Sequence, residues 1–421
     1  MIERTSAAVT ALLTGLLVGY VLNIALPDDS SKILLESGWH VTYFGFHAGG
    51  CVALLVAALT AVLLGRTTSL VAVLMTAGAG LALIAVMAAA EFGLAEVYLN
   101  GLGCGLVLGG VVALLRGEHH RLLLVALITA GIVFIYLFGD NLRRTLNSRP
   151  RRYADYVPDE PSISWGIVAA AVLVAGAIGC VIATRVEQPH PAPDSAPGRT
   201  IGAGALLTAA GLATLFALTQ LGWTIELWRI TVGVTVVVVL FAAWLLPGRT
   251  GCAVLASTAI AAASVCAQRW EMAAGALVLA AVLTAVGIAI GTKWPQPAFA
   301  TLLLAVVPIA TSFSGHPDWS SVSVLWLGPA AGFALASSVR TIDAPAAMSW
   351  PVVFALPVFA GAVGLGRDFG WTAYTPLTDR SLPPGLLEPE TTAVTTALAI
   401  LACAVGNYVL ESRRKIPEPT P

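Results

Sequence analysis

Residues 18–50 read VGYVLNIALPDDSSKILLESGWHVTYFGFHAGG, and the organisation of the whole chain can be worked out from this stretch. An apolar run ends in Asn23–Pro27, a short acidic loop follows, and Trp39 opens a second apolar run. Each run has about the 20 residues that an α-helix needs to cross roughly 30 Å of hydrocarbon. The stretch therefore predicts two consecutive membrane-spanning helices joined by a polar loop.

The composition extends this prediction to the whole chain. Of 421 residues, 57% are hydrophobic and only 11% are charged, and the mean hydropathy is +0.86. Soluble domains carry about 25% charged residues. Because a helix satisfies its own backbone hydrogen bonds in lipid, repeated apolar runs of this length favour a helical bundle. We expect an all-α integral membrane protein with the lipid bilayer as its surroundings.

About fourteen apolar segments are long enough to be drawn as spans, although two of them are short. Their predicted bounds are 6–26, 40–64, 69–90, 94–115, 122–139, 164–184, 201–222, 226–246, 251–267, 272–292, 297–313, 322–340, 349–366 and 391–410.

Loop charges predict the orientation of these spans. Most of the 22 basic residues fall on the side of the two termini, which the positive-inside rule assigns to the cytoplasm. The loop 140–163, with five arginines, is the exception. We expect a multi-pass protein of the cell membrane with both termini cytoplasmic. Tryptophans near the exterior ends, among them Trp228, predict an interfacial aromatic belt.

Composition and motifs argue against several other functions. Cysteines are scattered without a C-x-x-C pair or a Cys/His grouping, so we expect neither a disulfide framework nor a metal site. The sequence lacks nucleotide-binding and hydrolase signatures, so we expect no cofactor and no enzyme activity. A net charge of −1 gives no case for nucleic-acid binding.

Short motifs recur in an order that resembles one transporter family. Asn23–Pro27 is similar to an N-V-A-L-P run, and Trp39–Tyr43 is similar to the start of W-V-V-T-A-Y. Tyr98–Gly105 looks like R-x-L-Q-G-x-G-A-G, Thr219–Trp223 like a G-x-x-x-G-W turn, and Glu271–Gly275 like S-P-L-Q-A-G. Together they resemble the fourteen-span drug:proton antiporter family of the major facilitator superfamily.

The resemblance implies an architecture and an activity. It implies two six-helix bundles with an extra central helix pair, in a secondary permease that works by alternating access. Protons would be the coupling partner, and the low charge content suits export of an amphipathic or weakly polar small molecule. The expected divisions are an N-terminal bundle at 1–186, a Pro-rich linker at 187–200, the helix pair at 201–250, and the C-terminal bundle and tail at 251–421.

Four departures from the family pattern bear on its mechanism. The first-helix acid falls at Val18 and the fourth-helix arginine at Val97. The loop after the second span keeps only Gly65-Arg66 of a longer charged motif. The segment 122–139 lacks the G-P-x-x-G-G pattern. In the family these groups are associated with proton coupling and gating, so their loss argues against proton-driven drug export.

A few polar residues within or beside the spans are the candidates for substrate contact. Asn23, His47, Asn100 and Gln220 could line a translocation pathway, although each could equally serve as an interhelical hydrogen-bonding group. Glu226 and Arg229, three residues apart at the start of a span, are candidates for an ion pair at the interface.

Two other interpretations remain open. The lost charges favour a degenerate facilitator fold that acts as a partner or accessory subunit without transport. The Arg-rich loop 140–163 allows a third, a membrane enzyme that acts on lipid-linked substrates. A transporter predicts a polar cavity that contains Asn23, His47 or Asn100, whereas a scaffold predicts a tightly packed centre.

Overall fold

A computed structural model describes most of the apolar segments as helices. The described residues are 2–23, 48–67, 69–89, 95–115, 121–146, 165–184, 197–220, 225–247, 250–267, 274–312, 317–339 and 389–413. The helices are α1 (Ile2–Asn23), α2 (Ala48–Gly65), α3 (Leu70–Ala89), α4 (Ala95–Leu114), α5 (Arg121–Leu146), α6 (Trp165–Thr184), α7 (Pro197–Gln220), α8 (Ile225–Leu245), α9 (Gly251–Ala267), α10 (Ala274–Lys293), α11 (Pro297–Leu303), α12 (Val306–Ser312), α13 (Pro317–Val339) and α14 (Pro389–Arg413).

These helices confirm the expectation of an all-α membrane protein for the described part of the chain. By length and composition, eight of them can cross a bilayer, and four shorter stretches are also apolar. The predicted span 349–366 and the loop 24–47 lie outside the described residues. The helix α5 continues past its predicted end at residue 139 to Leu146, so the polar residues after Gly139 belong to the helix and not to the following loop.

The predicted span 297–313 is not one helix, and Pro308 explains why. Proline has no N–H to donate to Leu304, four residues earlier, and its ring crowds that carbonyl. The chain tightens here into shorter turns, in which Val307 N–H donates to Leu304 O at 3.1 Å. This leaves Leu303 O without its usual helical partner, and the indole Nε1 of Trp326 on α13 donates to it at 3.1 Å.

The chain divides into two compact units. The first consists of Met1–Thr42, Phe46–Pro197 and Glu271–Leu279, and it contains α1 to α6. Within it α1 packs on α4, α5 and α6, whereas α4 packs on α1, α2 and α3, and α3 also packs on α6.

These main packing pairs of the first unit have an internal symmetry. If α1, α2 and α3 are exchanged with α4, α5 and α6, every pair maps onto a pair of the same set. Two three-helix repeats with equivalent packing therefore build the unit. Because three is odd, consecutive membrane crossings would place the second repeat in the opposite orientation to the first.

The described helices of the second unit repeat the corresponding part of this scheme. This unit consists of Tyr43–Gly45, Gly198–Trp270 and Ala280–Pro421. Its helix α9 packs on α13 and α14, as α1 packs on α4 and α6. The broken helix α11–α12 packs on α13 and α14, as α3 packs on α4 and α6. The unit differs in that α9 also contacts α11 and α12, and that α8 packs on α9 and α14.

Small residues allow the closest crossings in both units. A Cβ atom at Gly101 of α4 would collide with the carbonyl oxygen of Gly49 on α2. A Cβ atom at Gly332 of α13 would collide in the same way with the carbonyl oxygen of Thr284 on α10. Membrane helices associate through such close backbone packing, because lipid supplies no hydrophobic drive between them. The crossing of α10 and α13 is thus the counterpart of that of α2 and α4.

Candidate substrate-binding residues

Only one of the four predicted substrate-contact side chains belongs to the described part of the chain. Asn23 is the last residue of α1 and Gln220 is the last residue of α7, and their side chains are not among those described. His47 lies outside the described residues. Their roles remain predictions, and so does the idea that they share one cavity with Asn100.

Asn100 lies buried on α4, with 7% of its surface exposed. Its side-chain Nδ2 donates to Oε1 of Glu96, one turn earlier, at 3.4 Å. Residues four apart lie on the same helix face, so this polar pair belongs to one helix. It lies beside the crossing of Gly101 with Gly49. The structure thus gives Asn100 a local partner, and its role towards a substrate remains a prediction.

Glu226 and Arg229 both lie exposed near the start of α8, and their pairing remains a prediction. Trp228 lies between them, and the structure corrects its predicted environment. The indole is only 1% exposed, and its Nε1 has no hydrogen-bond partner. Trp228 is therefore enclosed by protein, because its face of α8 packs on the neighbouring helices of the second unit.

Most buried hydroxyl groups of the described helices serve their own helix. Thr14 donates to Thr10 O at 2.7 Å and Thr129 donates to Val125 O at 2.9 Å. Bonding to the carbonyl four residues earlier satisfies the hydroxyl proton in an apolar environment. The hydroxyl groups of these threonines therefore have a structural role within their own helices.

Polar contacts join different helices in the described part of the second unit. Asn407 Nδ2 of α14 donates to Thr301 Oγ1 of α11 at 2.8 Å. Ala298 N donates to Glu411 Oε1 of α14 at 3.3 Å, which ties the start of α11 to the same helix. Two further contacts are Cys266 Sγ to Thr396 Oγ1 at 3.2 Å and the bond of Trp326 to Leu303.

Three buried side-chain oxygens in the described part of the second unit have no hydrogen-bond partner. They are Oδ1 of Asn407 and the hydroxyls of Ser257 and Ser337. An unsatisfied buried polar group costs about 1–3 kcal/mol, so each invites a ligand or water partner. Asn407 was missed from the sequence, although an amide inside a predicted span is a visible signal. Ser257 and Ser337 cannot be told apart in the sequence from the many other serines of the chain.

Charge and metal-binding capacity are low in the described interior. The buried polar side chains there are all Ser, Thr or Asn. Across the described residues, no cluster of three His, Cys, Asp or Glu side chains could hold a metal ion. The six cysteines all lie in described helices and form no disulfide bond, and Cys180 is exposed. The described interior therefore suits neutral, weakly polar chemistry.

A groove of about 660 Å³ lies between α8 and α14 within the second unit. Arg229 and Gly233 contribute to its α8 wall, and Thr391, Thr395 and Leu398 to its α14 wall. Its volume is within the roughly 300–1,000 Å³ range of small-molecule sites.

Taken together, apolar helices, repeated packing and an uncharged described interior define a multi-pass α-helical membrane protein. No family model matches the chain, and no curated protein matches it. Among solved structures, the chain is similar to FucP, a major facilitator superfamily transporter in the outward conformation. The identity is 16%, the TM-score is 0.36, and the match covers 95% of this chain and 98% of that chain. A superposition with so low a score establishes neither a shared fold nor a shared activity.

Proposed function

We propose that the chain is a secondary permease with a major facilitator-like arrangement, which exports an amphipathic or weakly polar small molecule by alternating access. The observation that carries this proposal is the packing scheme of three-helix repeats, found in the first unit and again in the described helices of the second. Nested inverted repeats of three helices are typical of six-helix facilitator bundles.

The proposed organisation follows the sequence divisions. The bundles correspond to residues 1–186 and 251–421, the linker to 187–200 and the extra helix pair to 201–250. The contacts of α8 with α9 and α14 support an association of that pair with the second bundle. The proposed location is the cell membrane with both termini cytoplasmic, and protons are the first coupling ion to test.

The alternative, a facilitator fold retained as a non-transporting partner, has one observation in its favour. Val18 is fully buried and Val97 is only 6% exposed, at the two positions where the resembling family carries an acid and an arginine. Apolar packing has thus replaced two charges associated with coupling and gating.

Flux in proteoliposomes separates the two candidates. The purified chain is reconstituted, and the efflux of neutral and cationic fluorescent amphiphiles is followed with and without an imposed pH gradient. A permease gives saturable flux above that of protein-free liposomes. The variant Asn100→Leu should lower this flux if Asn100 contacts substrate, whereas Cys180→Ala, on an exposed helix face, should leave it unchanged.

The negative result is equally informative. Flux at the level of protein-free liposomes for every amphiphile and under every gradient removes the permease proposal and leaves the partner alternative. Flux that is independent of the pH gradient keeps the permease and removes proton coupling.

A further inference from the structure

The groove between α8 and α14 has a polar end and an apolar end. Thr391 lies in the first turn of α14, Arg229 lies just after the first turn of α8, and Thr395 lies one turn further along α14. Val236 and Leu398 line the groove farther from the helix starts. At 1.5 Å per residue, the seven residues from Arg229 to Val236 span about 10 Å. The groove therefore runs from a cationic mouth into an apolar interior.

Both helices start at the mouth of this groove. Residues near the start of α8 share the groove with residues near the start of α14, and farther along Leu240 of α8 lies against Gly406 of α14, so the two helices run in parallel. The N-terminal ends of helices carry partial positive charge, which adds to that of the Arg229 guanidinium. An anionic group is the chemical complement of this mouth, and arginine can bind a phosphate with two hydrogen bonds.

Apolar side chains along the groove lie open to the surroundings. Val394 and Leu398 line the groove and are 59% and 61% exposed, and Val237 on α8 is 66% exposed. On a membrane-spanning helix such side chains meet acyl chains. Gly233 widens the α8 wall, because a Cβ atom there would have no neighbour within 4 Å.

We propose that this groove binds an anionic phospholipid from the leaflet in which α8 and α14 begin. The phosphate lies at Arg229 and one acyl chain lies against Val232, Val236 and Leu398. Because lipid tails are as apolar as the groove, the tail gains little by leaving the bilayer. Selectivity therefore comes from the headgroup, and anionic lipids are bound in preference to zwitterionic ones. This binding does not depend on the proposed transport.

Glu226 modulates the charge of the mouth. It lies three residues before Arg229, a spacing that places the two side chains on one helix face, so its negative charge lowers the positive charge that the mouth offers to a phosphate. Removal of the carboxylate should therefore strengthen lipid binding, whereas removal of the guanidinium should weaken it. Opposite effects of these two substitutions on lipid binding distinguish this site from nonspecific adsorption of lipid to an apolar surface.

Native mass spectrometry of the full chain in detergent tests the proposal. The delipidated protein is titrated with phosphatidylglycerol and, separately, with phosphatidylcholine, and the bound lipids are counted. We expect phosphatidylglycerol to bind more tightly, Arg229→Gln to weaken it roughly tenfold and abolish the preference, and Glu226→Gln to strengthen it. Gly233→Leu fills the groove and should reduce the binding of both lipids.

A matched substitution controls for added apolar bulk. Gly176 on α6 is also exposed, and a Cβ atom there would likewise meet nothing within 4 Å, so Gly176→Leu adds the same bulk at another site. Equal lipid binding by Gly233→Leu and Gly176→Leu would overturn the proposal, as would an unchanged headgroup preference in Arg229→Gln. Size-exclusion chromatography and circular dichroism check that each variant is folded. If Arg229→Gln is not folded, Gly233→Leu provides the test.

Discussion

At the scale of single residues, Asn407 uses only half of its amide. Its Nδ2 donates to Thr301 Oγ1, while its Oδ1 lies buried without a partner. Thr301 itself donates to Pro297 O at 2.8 Å, so it stays satisfied without the amide. Asn407 therefore depends on Thr301 for a hydrogen-bond partner, whereas Thr301 does not depend on Asn407.

This asymmetry predicts the result of a double-mutant cycle. Thr301→Val removes the acceptor of Nδ2 and should lower the free energy of unfolding by about 1–3 kcal/mol. In an Asn407→Leu background the same substitution should cost almost nothing, because no amide is left unpaired. Thermal unfolding of the detergent-solubilised protein measures both differences. Equal costs in the two backgrounds would show that the hydrogen bond does not couple the two residues.

The sequence reveals which residues are polar within spans, but not their partners. Asn100 bonds within its own helix, and a spacing of four along the chain makes such a partner visible in advance. Thr301 is 106 residues from Asn407, and only tertiary packing brings the two together. Residue-level site prediction therefore fails where the partner lies on another helix.

At the scale of elements, the break between α11 and α12 depends on a proline and a tryptophan. Pro308 withdraws a backbone donor, and Trp326 supplies a donor to the carbonyl of Leu303. A proline inside 297–313 is visible in the sequence, whereas the helix that repairs the break is not. The apolar length of 297–313 therefore predicts a span, but not its two-part form.

The two residues should consequently be coupled. Trp326→Phe keeps an aromatic ring but removes the N–H donor, so it should lower the unfolding temperature of the wild-type chain. In a Pro308→Ala background, in which Val307 can bond to Leu303 again, the same substitution should have a smaller effect. Thermal melts of the four proteins provide the comparison. A Trp326→Phe effect of the same size in both backgrounds would contradict this account.

At the scale of the whole molecule, the packing scheme of one unit recurs in the described helices of the other. The sequence predicts the order and approximate bounds of the described spans, because apolar length has a direct physical cause in bilayer thickness. It does not predict the neighbours of each helix. These depend on where small residues such as Gly101 and Gly332 meet a backbone, and one sequence does not identify the opposing helix.

Equivalent crossings should respond equally to the same substitution. Gly101→Ala and Gly332→Ala each drive a methyl group into an opposing carbonyl, and each should lose about 1–3 kcal/mol of stability. Gly78→Ala on α3 meets nothing within 4 Å and should be neutral or stabilising by up to about 1 kcal/mol. Thermal unfolding in detergent compares the three. Loss at only one of the two crossings would show that they are not equivalent.

The complete burial of α9 has a consequence for how this sequence can diverge. Every residue of Gly251–Ala267 is buried, whereas only 22% of the window Gly275–Lys293 in α10 is. Apolar residues that face lipid can replace one another freely, but residues enclosed on all sides must keep their volume. Over evolutionary time α10 should drift in sequence while α9 changes slowly. Distant relatives of this chain should therefore be recognisable by α9 after the outer helices have lost all similarity.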